Sequence, residues 1–174
     1  QHLELSRDIA ERFNHRFGHT FTVPDGVYPE IGARIMSLHD PLEKMGKTGS
    51  SEQGTIYLLD EPDVIRQKFK TAVTDSGREV RRAEDKPGIT NLIDIMSVAT
   101  ADTPEKIEAR FDGGGYGEFK EAVGEAVVEL VAPVQERYRE LRADEPELRR
   151  LLAIGADKAR EASGPTLAAM YERM

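Results

Sequence analysis

Three prolines, Pro62, Pro87 and Pro104, each head a stretch whose apolar residues recur every three or four positions, and this pattern commits most of the chain to helices. Proline is tolerated there because the N–H it lacks has no partner in a first helical turn. Behind Pro62 come Val64, Ile65, Lys68, Phe69, Ala72 and Val73. Behind Pro87 come Leu92, Ile93, Ile95, Met96 and Ala99. Thr103-Pro104-Glu105 is a capped start for Ile107 and Phe111. A glycine-rich turn, Gly113 to Gly117, leads into a long stretch carrying Phe119, Val123, Val127, Leu130, Val134, Tyr138 and Leu141, in which Pro133 predicts a bend. Two more helices are expected, one around Leu148, Leu151 and Leu152 and one around Leu167 and Tyr171.

Upstream of Pro62 the grammar differs. Leu5, Ile9 and Phe13, with Ala10 and Phe17 beside them, predict an amphipathic helix ending near Gly18. Two β-type runs follow, Phe21-Thr22-Val23 and Ile31 to Leu38, the second suited to a strand buried against helices. Helix and strands together are the arrangement of an α/β layer. Asp40 to Gly54 (DPLEKMGKTGSSEQG) is rich in glycine and serine and predicts a mobile surface loop and hinge. The opening helix has neither a start methionine nor an N-cap before it, so the natural sequence is expected to continue upstream.

A hydrophobic share of 39% in 174 residues is enough for one sizeable core. The net charge of −8 gives no general attraction to nucleic acid or membranes, so any RNA contact must use a local basic patch. No apolar run is long enough to span a bilayer and no signal segment opens the chain, which predicts a cytoplasmic protein away from membranes. Without cysteine there are no disulfides, thiolate metal sites or cysteine nucleophiles, and His2, His15, His19 and His39 lack metal-ligand spacing.

The segment with reactive potential is Lys44-Met45-Gly46-Lys47-Thr48. Two ammonium groups three residues apart, a hydroxyl and backbone N–H groups bared by glycine can stabilise charge building up on a phosphate. A Walker-type phosphate loop is absent, and the residues alone favour a solvated linker over a phosphate role. Gly113 to Gly117 lies between helices rather than after a strand, so it predicts a helix–helix turn and not a nucleotide loop. No serine, histidine and acid set supports a hydrolase. Arg78, Arg81, Arg82 and Lys86 form a basic group that suits either a phosphate backbone or a solvated turn.

The order of short motifs narrows this further: QHLELSRDIAERFN, GARIMSLHDPLEKMGKT, IYLLDEPDVI, AVTDS, KPGITNLI, GYGEFK, PVQERY and GADKAR. Along essentially all 174 residues this series resembles the bacterial tryptophanyl-tRNA synthetases, and TDS, KPG followed by NL, and GYG followed by FK resemble the tryptophan enzymes rather than the tyrosine ones. The resemblance implies a mainly α chain. Residues 1–52 would be the end of a Rossmann-like α/β catalytic domain, and 53–174 a helical bundle that binds the tRNA anticodon. Lys44, Met45, Gly46, Lys47 and Thr48 fall on the five positions of the family's KMSKS loop, with glycine and threonine in place of its serines. Threonine keeps the hydroxyl, whereas Gly46 removes a donor and adds freedom.

By the same resemblance Lys44 and Lys47 would hold the pyrophosphate of ATP as leaving group, and Ile35 marks the backbone that holds adenine. Implied partners are ATP carrying Mg2+, tryptophan and tRNA(Trp), with the parent enzyme a homodimer. The family's HIGH motif, GEDQ-like segment and tryptophan pocket have no counterpart here, so the chain by itself is expected to form no tryptophanyl adenylate and need not dimerise. Two other readings are an anticodon-stem binding module, using Tyr116, Phe119 and Lys120 or Arg78 to Lys86, and a scaffold bundle without an RNA role.

Overall fold

The computed structural model describes residues 1–47 and 51–174. Its helices are α1 (His2–Phe17), α2 (Pro62–Lys70), α3 (Pro87–Thr100), α4 (Pro104–Arg110), α5 (Tyr116–Ala143) and α6 (Glu145–Arg173), with a 3-10 turn at Glu52–Gly54. Pro62, Pro87 and Pro104 occupy first turns as their spacing predicts, and the Thr103 hydroxyl accepts from the Lys106 N–H. α5 continues through Pro133.

The chain divides into two compact units. One comprises Gln1–Tyr28 and Glu140–Met174. Within it α1 ends at Gly18, whose φ of 87° is a conformation glycine adopts without strain and whose N–H donates to the Asn14 carbonyl at 3.0 Å. Phe13 packs its ring against Phe17 and, edge-on, against Phe21, both at 4.9 Å between centroids. Asn14 holds the backbone beyond the helix: its Oδ1 accepts from the N–H groups of Thr20 and Phe21, and its Nδ2 donates to the Phe21 carbonyl at 2.7 Å. α6 carries surface ion pairs at helical spacing, such as Glu145–Arg149, and no residue in it is buried. The two helices expected in this region are one: α6 runs through Ser163, Gly164 and Pro165, and the Ser163 hydroxyl donates to the Ala159 carbonyl one turn back.

The other unit, Pro29–Arg139, holds the core. Ile65 and Phe69 of α2, Ile93 of α3, Ile107 of α4 and Phe119 and Val123 of α5 are all at most 1% exposed. Burying each stabilises the unit by about 1.5–3 kcal/mol. Phe111 meets Phe119 edge-to-face at 5.0 Å.

Neither expected strand forms among the described residues. Phe21-Thr22-Val23 is irregular, and Ile31 to Leu38 contributes a single antiparallel bridge, Met36 opposite Lys44. The physical reason is the same in both places. The backbone groups that a neighbouring strand would pair are taken by asparagine side chains, Asn14 on Phe21 and Asn91 on Met36.

Candidate functional site

The lysine segment begins on a short two-stranded turn. Ser37 N–H donates to the Glu43 carbonyl at 2.8 Å and Met45 N–H to the Ile35 carbonyl at 3.0 Å, which sets Met36 opposite Lys44. In this bonding pattern the Met36 N–H and C=O point away from Lys44 and need other partners. Asn91 of α3 supplies both: Met36 N–H donates to Oδ1 at 2.8 Å, and Nδ2 donates to the Met36 carbonyl at 2.9 Å. The turn between is capped internally, with Leu42 N–H donating to Asp40 and the buried Ser37 hydroxyl accepting from the N–H groups of His39 and Asp40.

The return side is held equally firmly. Leu38 N–H donates to the Gly54 carbonyl at 3.0 Å, and a Cβ at Gly54 would collide with the Ser37 hydroxyl, so only glycine allows this approach. The Thr55 hydroxyl donates to the Gly46 carbonyl at 3.1 Å. Thr55 in turn is fixed by Lys68 of α2, whose buried ammonium donates to the Thr55 carbonyl at 2.8 Å and pairs with Asp60 at 2.7 Å. From α5, Gln135 donates to the carbonyls of Leu58 and Asp60, both at 2.9 Å.

Between these anchors Lys44 and Lys47 are exposed, and neither has an ion-pair partner among the described residues. Ile35, Met45 and Gly46 are half-buried beside them, Ile35 and Met45 packing against the core. Thr48 lies outside the described residues. The arrangement is two free ammonium groups on a segment whose ends are tied to α2 and α3, suited to meeting a polyanion.

Three of the motifs meet elsewhere in the unit. The Tyr116 hydroxyl lies 2.9 Å from both carboxylate oxygens of Asp75, Lys86 Nζ lies 2.8 Å from that hydroxyl and 3.2 Å from Asp75, and Gly77 N–H donates to Asp75 at 2.7 Å. Burial works against the Asp75 carboxylate, but Tyr116, the Gly77 N–H and Lys86 outweigh it and hold it below the usual range. The Tyr116 bond, outweighing desolvation with help from Asp75, raises Lys86; burial raises Tyr116. On α3, burial pushes Asp94 up against the opposing pull of Arg82, 3.2 Å away.

These contacts revise the RNA-binding candidates. Phe119 is fully buried and offers no face to a base. Lys86 is buried in its triad, and Lys120 donates to the Ala72 carbonyl at 2.8 Å. Arg82 is engaged with Asp94, and its N–H with Glu108. Arg78 and Arg81 remain beside Gly113 and Gly114 on an open cleft of about 540 Å3, with Glu79 pairing Arg81.

Asn91, Thr55, Lys68 and Asp60 are the site residues that sequence reasoning passed over. The signal for Asn91 was a lone amide among Ile89, Leu92 and Ile93, where a buried polar group requires partners.

Residues 1–132 match the family described as tRNA synthetases class I (W and Y). The chain is 47% identical over 175 residues to the tryptophan–tRNA ligase of Mycobacterium leprae, covering 100% of this chain and 51% of that protein. It is 46% identical over 175 residues to the tryptophan–tRNA ligase of Bacillus subtilis, covering 100% of this chain and 53% of that one. The tryptophanyl-tRNA synthetase of Mycoplasma pneumoniae superposes with a TM-score of 0.88 at 31% identity, over 98% of this chain and 52% of that one. The enzyme of Campylobacter jejuni, solved with ADP and tryptophan, gives 0.64 at 28% identity, again over 98% and 52%. The chain thus spans about half the length of the curated relatives it matches.

Proposed function

As the chain belongs to the class I tRNA synthetases of the tryptophan and tyrosine group, we propose that it forms the downstream half of a tryptophan–tRNA ligase, which activates tryptophan with ATP and transfers it to tRNA(Trp). The observation that carries this reading is the pair of exposed ammonium groups, Lys44 and Lys47, without ion-pair partners among the described residues and on a segment tied at both ends. Lys44 and Lys47 take the pyrophosphate part of ATP. As the tryptophan carboxylate attacks the α-phosphorus and the bond to the bridging oxygen breaks, their charge stabilises the departing pyrophosphate. Met45, Gly46 and Thr48 complete the phosphate segment, and Ile35 offers backbone to adenine. Mg2+ arrives with ATP on its phosphates. Residues 1–52 belong to the catalytic side, and 53–174 to the part that meets tRNA in the cytoplasm, with the exposed Arg78 beside Gly113 the foremost contact. The whole enzyme is a homodimer.

ATP–pyrophosphate exchange tests this. The chain extended upstream to the length of its relatives should exchange with tryptophan and not tyrosine, and Lys47→Ala should lower the rate roughly 100-fold or more. The chain alone should be silent, because the family's HIGH motif and tryptophan pocket, which would position the amino acid, have no counterpart in its sequence. Exchange that prefers tyrosine, or that ignores Lys47, would refute the reading.

A further inference from the structure

We propose that Asn91 and Thr55 are positioning residues for ATP activation, which hold the lysine segment in register from the helical bundle while touching no substrate themselves. This rests on the function proposed above. The Asn91 carboxamide makes a peptide-like pair of bonds to one residue, Met36. That residue is flanked by Ile35 and faces Lys44 across the bridge, so one side chain of α3 fixes the backbone on both the adenine side and the phosphate side of the segment. Thr55 does the corresponding work on the return, its hydroxyl on the Gly46 carbonyl between the two lysines. Its own carbonyl is held by buried Lys68, which makes α2 the second anchor.

The arrangement goes beyond packing. Asn91 is 5% exposed and Thr55 4%, in positions where an apolar side chain of similar volume would satisfy the core. Their polar atoms are spent on the backbone of the lysine segment. Because catalysis of this kind depends on placing charge against the phosphates, a shift of about 1 Å in the segment is enough to lower the rate roughly 100-fold without removing any catalytic group.

The test uses the chain extended to the full length of its relatives and measures ATP–pyrophosphate exchange with separate KM values for ATP and tryptophan, alongside thermal unfolding. Asn91→Asp keeps the acceptor and loses the donor to the Met36 carbonyl. Thr55→Val keeps the shape, packs in a buried position and loses only the bond to Gly46. Ser97→Ala is the comparison, a buried α3 residue whose hydroxyl serves Asp102 at 2.7 Å, away from the lysine segment. We expect Asn91→Asp and Thr55→Val each to lower kcat/KM for ATP by about tenfold or more, with KM for tryptophan within about twofold of the parent, and Ser97→Ala to leave both unchanged. A rise in KM for tryptophan as large as the loss toward ATP, or an ATP effect in Ser97→Ala of the same size, would overturn the inference and leave the function standing. A parent protein without tryptophan-dependent exchange would take down both.

Discussion

Asn14 and Asn91 hold extended backbone with the same chemistry in different surroundings. Each carboxamide brings a donor and an acceptor to one residue, as a neighbouring strand would: Asn14 to Phe21 after α1, and Asn91 to Met36 beside the lysine segment. Asn14 is half-buried at the edge of a cluster of three phenylalanines, whereas Asn91 is 5% exposed among Ile89, Leu92 and Ile93. Water can replace what Asn14 provides. Met36 is itself half-buried, but the Asn91 side chain that serves it is enclosed, so losing that side chain costs packing in the core as well as the two bonds.

The largest expected effect follows from that difference. Asn91→Ala takes away both partners of the half-buried Met36 N–H and C=O and leaves a gap where an enclosed side chain stood, and should destabilise the chain by roughly 2–4 kcal/mol, read from urea unfolding. Asn14→Ala should lower stability by about 1 kcal/mol or less, because solvent takes over part of its bonding. Equal losses in the two variants would break the comparison and show that the local bonds, and not their burial, carry the energy.

The helices were legible because proline starts, caps and apolar spacing are local signals, and the structure places Pro62, Pro87 and Pro104 in first turns accordingly. The extended segments were misjudged for the opposite reason. Whether Ile31 to Leu38 becomes a strand depends on what lies beside it, and that partner is a side chain 55 residues on. The lysines of the candidate site could be picked out as two cations three apart in a polar loop, but their anchors could not, since Thr55 and Lys68 look ordinary until α2 brings them under the loop. Likewise Tyr116 of GYG stands 30 residues or more from Lys86 of KPG and Asp75 of TDS, and only folding brings it to them. The single α6 escaped notice because Gly164-Pro165 is a local break signal, which this exposed helix tolerates.

That triad offers the smallest and sharpest contrast, because it is a tether made of charge where the asparagines are neutral. Asp75 has a folded pKa below its unfolded value, so its contribution is complete above the ordinary aspartate range, near pH 4, and is lost as pH falls through the folded value. Lys86 is raised, so its contribution is complete below about pH 10.4 and fades only as alkali passes the folded value. Between those limits the triad is intact. Asp75→Asn should therefore lower the unfolding midpoint at pH 7, and the gap between it and the parent should close as the solution is taken below pH 4. Asn14→Ala and Asn91→Ala should keep the same gap from the parent over that range, since an amide does not titrate. A gap for Asp75→Asn that persists unchanged into acid would mean that the carboxylate's charge is idle and that Tyr116 and Lys86 are held by packing alone.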